Sequence, residues 1–471
     1  MTDTELFERF TGWIDVHFEE LTKELEKLVR MPSVSRYDEK DAPYGRECLR
    51  ALEFMRFLAE SFGFQTSTVD DRVLEISEDL SKRGIGVWCH LDVVPAGEGW
   101  TYTRPFEPLR LGDYLIGRGT NDNKGPAVAC LYILKMLKEL GIRTRNPVRL
   151  CLGTDEEKGM SDVQYYVRTQ PEDKLNLVAD CGFPVCYAEK GILEAEIVSD
   201  EPCACLEEFR AGMAGNIVPD RAEMLIRPTE GACLHKEELG ENVSTNAEGR
   251  LVRLTATGLA AHSAHPESGV NAIRLLTGAA LKSGLLDEGT RRVTAFFDRV
   301  NEDCLGTALG IACSDEVGGV TTCAGTMAFL DADRRARLHL NIRFNVRSDA
   351  KQMIAEMERI SGENGCSLQN VSVSEPNYCP PDSPVVTKLT DTFNRFSGLE
   401  KKAYLMGGGT YARKLPNAVG FGMGGLPKPE TDLFPEGHGG AHQKDEALYL
   451  PNLKKAMALF AMGLLAADKE I

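Results

Sequence analysis

The string Cys89-His90-Leu91-Asp92-Val93-Val94-Pro95 sets a histidine and a carboxylate two residues apart at the end of an apolar run. On an extended strand residues i and i+2 share a face, so the spacing predicts His90 and Asp92 in one pocket. Four further segments offer groups of the same kind. Asp122 lies in the polar turn GRGTNDNKGP, Glu156 and Glu157 follow the strand-like PVRLCLG, Asp180 ends the run NLVAD, and His442 sits in the glycine-rich GGAHQKDE. Imidazole nitrogen with carboxylate oxygen, and no thiolate, suits zinc, manganese or cobalt. Each piece alone is a weak signal, because a histidine after a strand or an acidic pair in a loop is common without any ligand. They are scattered along the chain, so only folding brings them together.

The elements expected to carry them alternate. Apolar runs at 86–90, 148–153 and 175–179 read as buried strands, and 127–140 reads as a helix. That order predicts an α/β layer with a mainly parallel sheet, and in such sheets sites form at the carboxyl ends of the strands. At the N-terminus Phe7, Phe10, Ile14, Phe18, Leu21, Leu25 and Leu28 follow helical spacing until Met31-Pro32-Ser33. Beyond Gly191 the pattern changes to half-exposed alternation in ILEAEIV, RLVRLTATG and RARLHLNIRFNV, with the helical SGVNAIRLLTGAALKSG among them. We therefore expect a first catalytic segment at 1–189, an inserted α+β lid at 190–376, and a return to the catalytic domain at 377–471.

Composition fits a large enzyme. At 471 residues the chain exceeds what one core usually supports. A formal net charge of −17 argues against nucleic acid or an anionic membrane as partner. The N-terminus lacks the basic start and apolar centre of a secretory signal, and the fourteen cysteines then read as reduced thiols of a cytoplasmic protein. Cys89 and Cys181 lie beside candidate ligands, which predicts sensitivity to thiol reagents.

Taken in order, His-x-Asp, Asp-x-Lys-Gly, Glu-Glu, Asp and His resemble the co-catalytic di-zinc metallopeptidase family of carboxypeptidase G, aminoacylase and succinyl-diaminopimelate desuccinylase. Within it the chain looks most like the PepV-type and carnosinase-like dipeptidases, over nearly its whole length. The resemblance implies a three-layer αβα catalytic domain with a lid. It implies two divalent ions, zinc first, with manganese or cobalt as alternatives. His90 and Asp180 would hold one, Glu157 and His442 the other, and Asp122 would bridge them. Glu156 would be the general base and Asp92 would hold His90.

The same resemblance extends to the substrate side. GLAAHSAHPESGVNA places His262 where the family donates a hydrogen bond to the oxyanion, with His265 the less suitable neighbour. Asn216 in AGNIVPD and Arg343 in LNIRFNV stand where PepV-type enzymes hold the substrate. Gly408, Gly409 and Thr410 of GGGTYAR are candidates for contact with its carboxyl end, and Arg413 either assists or is structural. His442 is preferred to His438 because Gln-x-x-Glu follows it, and His17, His235 and His339 lack neighbours that suggest ligation. Asn123 replaces the usual second aspartate, Lys158 replaces a small residue and Leu259 a lysine. The implied activity is hydrolysis of unbranched dipeptides by a monomer. The alternatives are a deacylase of N-acyl amino acids and a non-catalytic amino-acid or peptide-binding homologue.

Overall fold

Alternation of side chains along the strand Ile85–His90 decides the layering around it. Val87 and Cys89 pack with Leu150, Leu152, Leu175 and Leu177 in one large core, whereas Trp88 packs with Cys151 and Val178 in a smaller core on the opposite face. A sheet buried on both faces explains why its strands read as continuous apolar runs. The large core takes residues from the helices Asp3–Val29, Arg46–Ser61, Lys124–Glu139 and Leu450–Ala467, and the small one takes Val163 and Tyr166 from Ser161–Thr169. The result is an αβα sandwich. A computed structural model describes residues 2–37 and 42–471. The chain divides into two compact units, Met1–Ala188 with Asn377–Ile471, and Glu189–Pro376.

The sheet of the first unit has the order Gln65–Val69, Val73–Ser77, Val148–Gly153, Ile85–His90, Leu175–Val178, Ala418–Gly420, Cys186–Glu189, Asn377–Tyr378, and Tyr404–Met406 also pairs with Cys186–Glu189. The four central strands run parallel, and the flanking pairs from Gln65–Val69 to Val148–Gly153 are antiparallel. Helix Asp3–Val29 opens on a capping box in which the Thr2 hydroxyl accepts the Glu5 N–H and the Glu5 carboxylate accepts the Thr2 N–H. Phe10, Ile14, Leu21, Leu25 and Leu28 form its buried stripe. No described helix is long and apolar enough to cross a membrane.

The second unit is built on an eight-stranded sheet with the order Val243–Glu248, Leu251–Thr257, Arg221–Ile226, Leu206–Ala211, Thr322–Leu330, Ala336–Phe344, Gly191–Ser199, Cys366–Ser374. Its neighbouring strands pair antiparallel. Helices Ala272–Lys282, Glu288–Val300 and Ala350–Glu363 bury Ile273, Leu276, Phe296, Phe297, Met353 and Met357 in its core. This is the helix-covered antiparallel sheet that the alternating segments predict.

Candidate metal centre

Strand register assembles the centre. His90 pairs with Gly153, so the loop that carries Glu156 and Glu157 leaves its strand beside His90. Trp88 pairs with Val178, which sets Asp180 level with His90 two residues later. The strand itself ends at His90. Asp92 therefore lies beyond it rather than on it, because Leu91 N–H still bonds Gly153 O whereas Val93 N–H turns to Ser33 O.

Two overlapping sets result. His90 Nε2 lies 3.1 Å from Asp122 Oδ1 and 3.6 Å from Asp180 Oδ2. His442 Nε2 lies 3.1 Å from Asp122 Oδ2 and 2.9 Å from Glu157 Oε1. Asp122 thus turns one oxygen to each histidine. In each triad, His90 with Asp122 and Asp180 or Asp122 with Glu157 and His442, one ligand atom per residue fits within 4.8 Å of the others; so does a third set, His90 with Glu156 and Glu157. His442 has the left-handed backbone angle φ 63°, strain that persists only where neighbouring contacts hold it.

Surrounding hydrogen bonds orient these groups. The nearest partner of His90 Nδ1 is the main-chain oxygen of Asp92 at 3.0 Å, with the Asp92 carboxylate at 3.4 Å. That carboxylate is also engaged by the N–H groups of Glu156 and Glu157. Asn123 donates its amide to Asp180 Oδ1 at 2.9 Å and to Ala179 O at 3.0 Å, which makes use of the residue that departs from the family pattern. His438 is drawn elsewhere, 2.6 Å from buried Asp445 Oδ2.

Several residues of the site went unread in the sequence. Asp162 accepts the N–H groups of Thr154 and Asp155 and the hydroxyl of Tyr411, and so pins the start of the Glu156 loop. A methyl group at Gly153 would overlap both the Tyr411 hydroxyl and the Asp162 carboxylate, so only glycine allows this approach. Tyr411 belongs to the GGGTYAR segment, which was its one available signal. Arg118 forms a buried ion pair at 2.7 Å with Glu446, the glutamate of the Gln-x-x-Glu after His442, whose partner the sequence does not show. Arg413 Nη2 donates to Gly408 O at 2.8 Å and lies against Gly409, while Thr410 Oγ1 accepts Ala412 N–H. Cys89 is fully buried and 3.8 Å from Cys130, and burial pushes its thiol well up, whereas Cys181, the other cysteine beside the candidate ligands, is half-buried.

The charges of the centre are unbalanced. Among the described residues no lysine or arginine pairs with Asp122, Glu156, Glu157 or Asp180. Burial lifts the Glu156 carboxyl well above its usual value, and burial with the nearby Asp122 charge lifts Asp180 to about 7. Burial would also raise Asp122, but hydrogen bonds from His442 and His90 outweigh it and hold this group low. Hydrogen bonds to Asp122 and Glu157 raise His442 to about 10. Four converging carboxylates with two imidazoles form a donor set that fits borderline divalent cations. Glu156 differs from the others in that no protein hydrogen bond or ion pair reaches its carboxylate among the described residues.

Within the second unit Asn216, His262 and Arg343 are brought near one another. Ser263 N–H bonds Asn216 O at 2.9 Å, and Ile217 pairs with His262 across a short two-stranded ladder. Arg343 is 5 % exposed rather than a surface charge; its Nε donates to Asn341 Oδ1, which also accepts the Ser263 hydroxyl. Ala264 N–H donates to His262 Nδ1 at 3.1 Å, which places the proton of the neutral ring on Nε2. His265 is exposed and precedes a single 3-10 turn, with no capping bond from its side chain.

The description "Peptidase family M20/M25/M40" matches residues 87–465. A Bacillus subtilis protein with the name "Putative dipeptidase YtjP" is 32% identical over 466 residues, covering 95% of this chain and 96% of the relative. A Staphylococcus epidermidis "Putative dipeptidase" is 31% identical over 467 residues, covering 95% and 97%. Among solved structures, the dipeptidase Dug1p of Saccharomyces cerevisiae has a TM-score of 0.59 at 15% identity, covering 98% of each chain. Human carnosine dipeptidase 1 has a TM-score of 0.58 at 15% identity, covering 98% of this chain and 99% of its own. These structures share the fold, whereas the family match spans most of the sequence and contains all the candidate ligands: the chain belongs to peptidase family M20/M25/M40 and is a metal-dependent peptidase.

Proposed function

We propose that the chain is a dipeptidase in which Glu156 is the general base. The observation that carries this reading is Asp122, whose two oxygens face His90 and His442 separately, as a carboxylate shared by two ions requires. Full-length relatives that bear dipeptidase names support the substrate class. His90 and Asp180 would hold one divalent ion, Glu157 and His442 the other, and Asp122 both; zinc is our first assignment, with manganese or cobalt as alternatives. Two such ions would supply a more acidic water and a polarised carbonyl.

The chain's own residues supply the rest. Glu156, buried and with no hydrogen-bonding partner for its carboxylate among the described residues, takes a proton as the water oxygen bonds to the scissile carbon, and returns it to the nitrogen as the C–N bond breaks. Asp92 holds His90 and the Glu156 loop. His262, with its proton on Nε2, is the proposed donor to the developing oxyanion. Asn216, Arg343 and the Gly408-Gly409-Thr410 segment are the proposed substrate contacts, Arg343 through a two-pronged pairing with the terminal carboxylate. The length of the inserted unit, Glu189–Pro376, is the ground on which we propose a monomer, which sedimentation of the purified protein checks.

The test is hydrolysis of a dipeptide panel, with N-acyl amino acids alongside, by metal-stripped protein restored with zinc or manganese. Cleavage of dipeptides that is lost in Glu156→Ala supports the reading. Cleavage of acyl amino acids alone would replace it with a deacylase, and binding without turnover would replace it with a non-catalytic homologue.

A further inference from the structure

Glu446 is 0% exposed, and both its oxygens are engaged. Oε1 accepts the N–H groups of Asn121 and Asp122, each at 3.0 Å. Oε2 accepts Gly119 N–H at 3.1 Å and Arg118 Nη1 at 2.7 Å, and the Glu446 main-chain oxygen accepts Gly117 N–H at 2.8 Å. Arg118 then reaches back: its Nη2 donates to His442 O at 3.3 Å and to Ala96 O at 3.4 Å. The guanidinium also lies 5.4 Å from the Trp100 ring centroid.

We infer that Glu446 and Arg118 are positioning residues that fasten the Asp122 loop to the His442 loop and so set the geometry with which these two side chains meet a metal ion. The inference rests on the reading that Asp122 and His442 are ligands. Three observations separate it from ordinary core packing. The groups held are the main chain of Asp122 and of His442 themselves. His442 has a left-handed backbone that costs energy unless its neighbours hold it, and Arg118 takes its carbonyl. A buried ion pair is also a poor source of net stability, because desolvation offsets most of the attraction. Groups that orient ligands are, by contrast, where metal affinity is lost on substitution, by roughly 10–100-fold.

The experiment titrates metal-stripped protein with cobalt(II), follows the visible absorption bands, and records the thermal midpoint of each metal-free variant. Glu446→Gln is expected to bind cobalt roughly 10–100-fold more weakly with altered bands, and Arg118→Lys to behave in the same way. Arg149→Gln, which breaks the buried 2.7 Å pair with Glu75 elsewhere in the sheet, is expected to lower the midpoint while leaving cobalt affinity and bands as they were. Wild-type affinity and bands in a folded Glu446→Gln or Arg118→Lys would overturn the inference; if Glu446→Gln does not fold, Arg118→Lys decides. Asp122→Ala and His442→Ala test the underlying reading. If they keep full cobalt affinity the ligand assignment fails, whereas if they lose it and Glu446→Gln does not, only the positioning role fails.

Discussion

Asp92 Oδ1 accepts the main-chain N–H of Glu156 at 3.2 Å, and its other oxygen accepts that of Glu157 at 3.1 Å. One buried carboxylate therefore holds the loop of the proposed base while lying 3.4 Å from the ring of His90. Asp92→Asn retains one carbonyl acceptor but turns an NH2 group toward a second N–H. We expect it to lower kcat or metal affinity by roughly 10–100-fold in a folded protein. Kinetics with metal analysis checks this, and an unchanged kcat at full metal loading would refute it.

The two adjacent glutamates should behave differently. Glu157 pairs with His442, whereas no group among the described residues bonds the Glu156 carboxylate. Glu156→Gln is expected to keep its metal content and lose about 10²–10⁴-fold in kcat, the range of general acid–base catalysis. Glu157→Gln is expected to lose metal. Elemental analysis beside kinetics decides, and loss of both ions in Glu156→Gln would recast Glu156 as a ligand, as its place in the third ligand group allows.

Metal stoichiometry should follow the overlap of the two triads. Substituting Asp180 or His442 by alanine is expected to leave one tight ion, and substituting Asp122 to weaken both, since only Asp122 belongs to both sets. Removal of metal with a chelator should lower the thermal midpoint, because the converging carboxylates lose their counter-charge; free metal at 100 times its Kd corresponds to about 2.7 kcal/mol of stabilisation. Equal losses from all three variants would argue against a shared Asp122.

Asp287 provides a pH-dependent test within the second unit. Its carboxylate caps helix Glu288–Val300 by accepting Thr290 N–H at 2.8 Å, and it also accepts Cys205 N–H at 3.0 Å. Burial opposes ionisation, but these hydrogen bonds outweigh it and lower the folded-state pKa. A lowered carboxylate contributes stability that is present above the unfolded value and fades as pH falls through the folded one. Asp287→Ala is expected to cost about 1–2 kcal/mol near neutral pH, and the gap should narrow below about pH 4. Thermal midpoints across that range check it, and a gap that widens in acid would refute it.

Much of the centre was legible because its chemistry sits where strands end. His90, Glu156, Glu157 and Asp180 each follow an apolar run, and a parallel sheet must bring such ends to one edge. The change from continuous to alternating runs near Gly191 likewise marks the passage from a sheet buried on both faces to one covered on a single face. The i, i+2 spacing puts Asp92 in one pocket with His90, and although the strand stops at His90 the Asp92 carboxylate still lies 3.4 Å from its ring. What the spacing does not show is that this carboxylate also accepts the N–H groups of a loop 64 residues away.

By itself the sequence determined the donor types, their order and the two kinds of sheet, since these follow from residue chemistry and short-range periodicity. Tertiary structure alone decided that Asp122 faces two histidines, that the Glu156 carboxylate has no hydrogen-bonding partner among the described residues, and that Glu446 and Arg118 bind one loop to another. Those partners lie up to 328 residues apart, and nothing local distinguishes a loop glutamate that will be buried against main-chain N–H groups from one that will face water. Burial supplies the difference, because a carboxylate removed from water must find hydrogen-bond donors wherever the fold has left them.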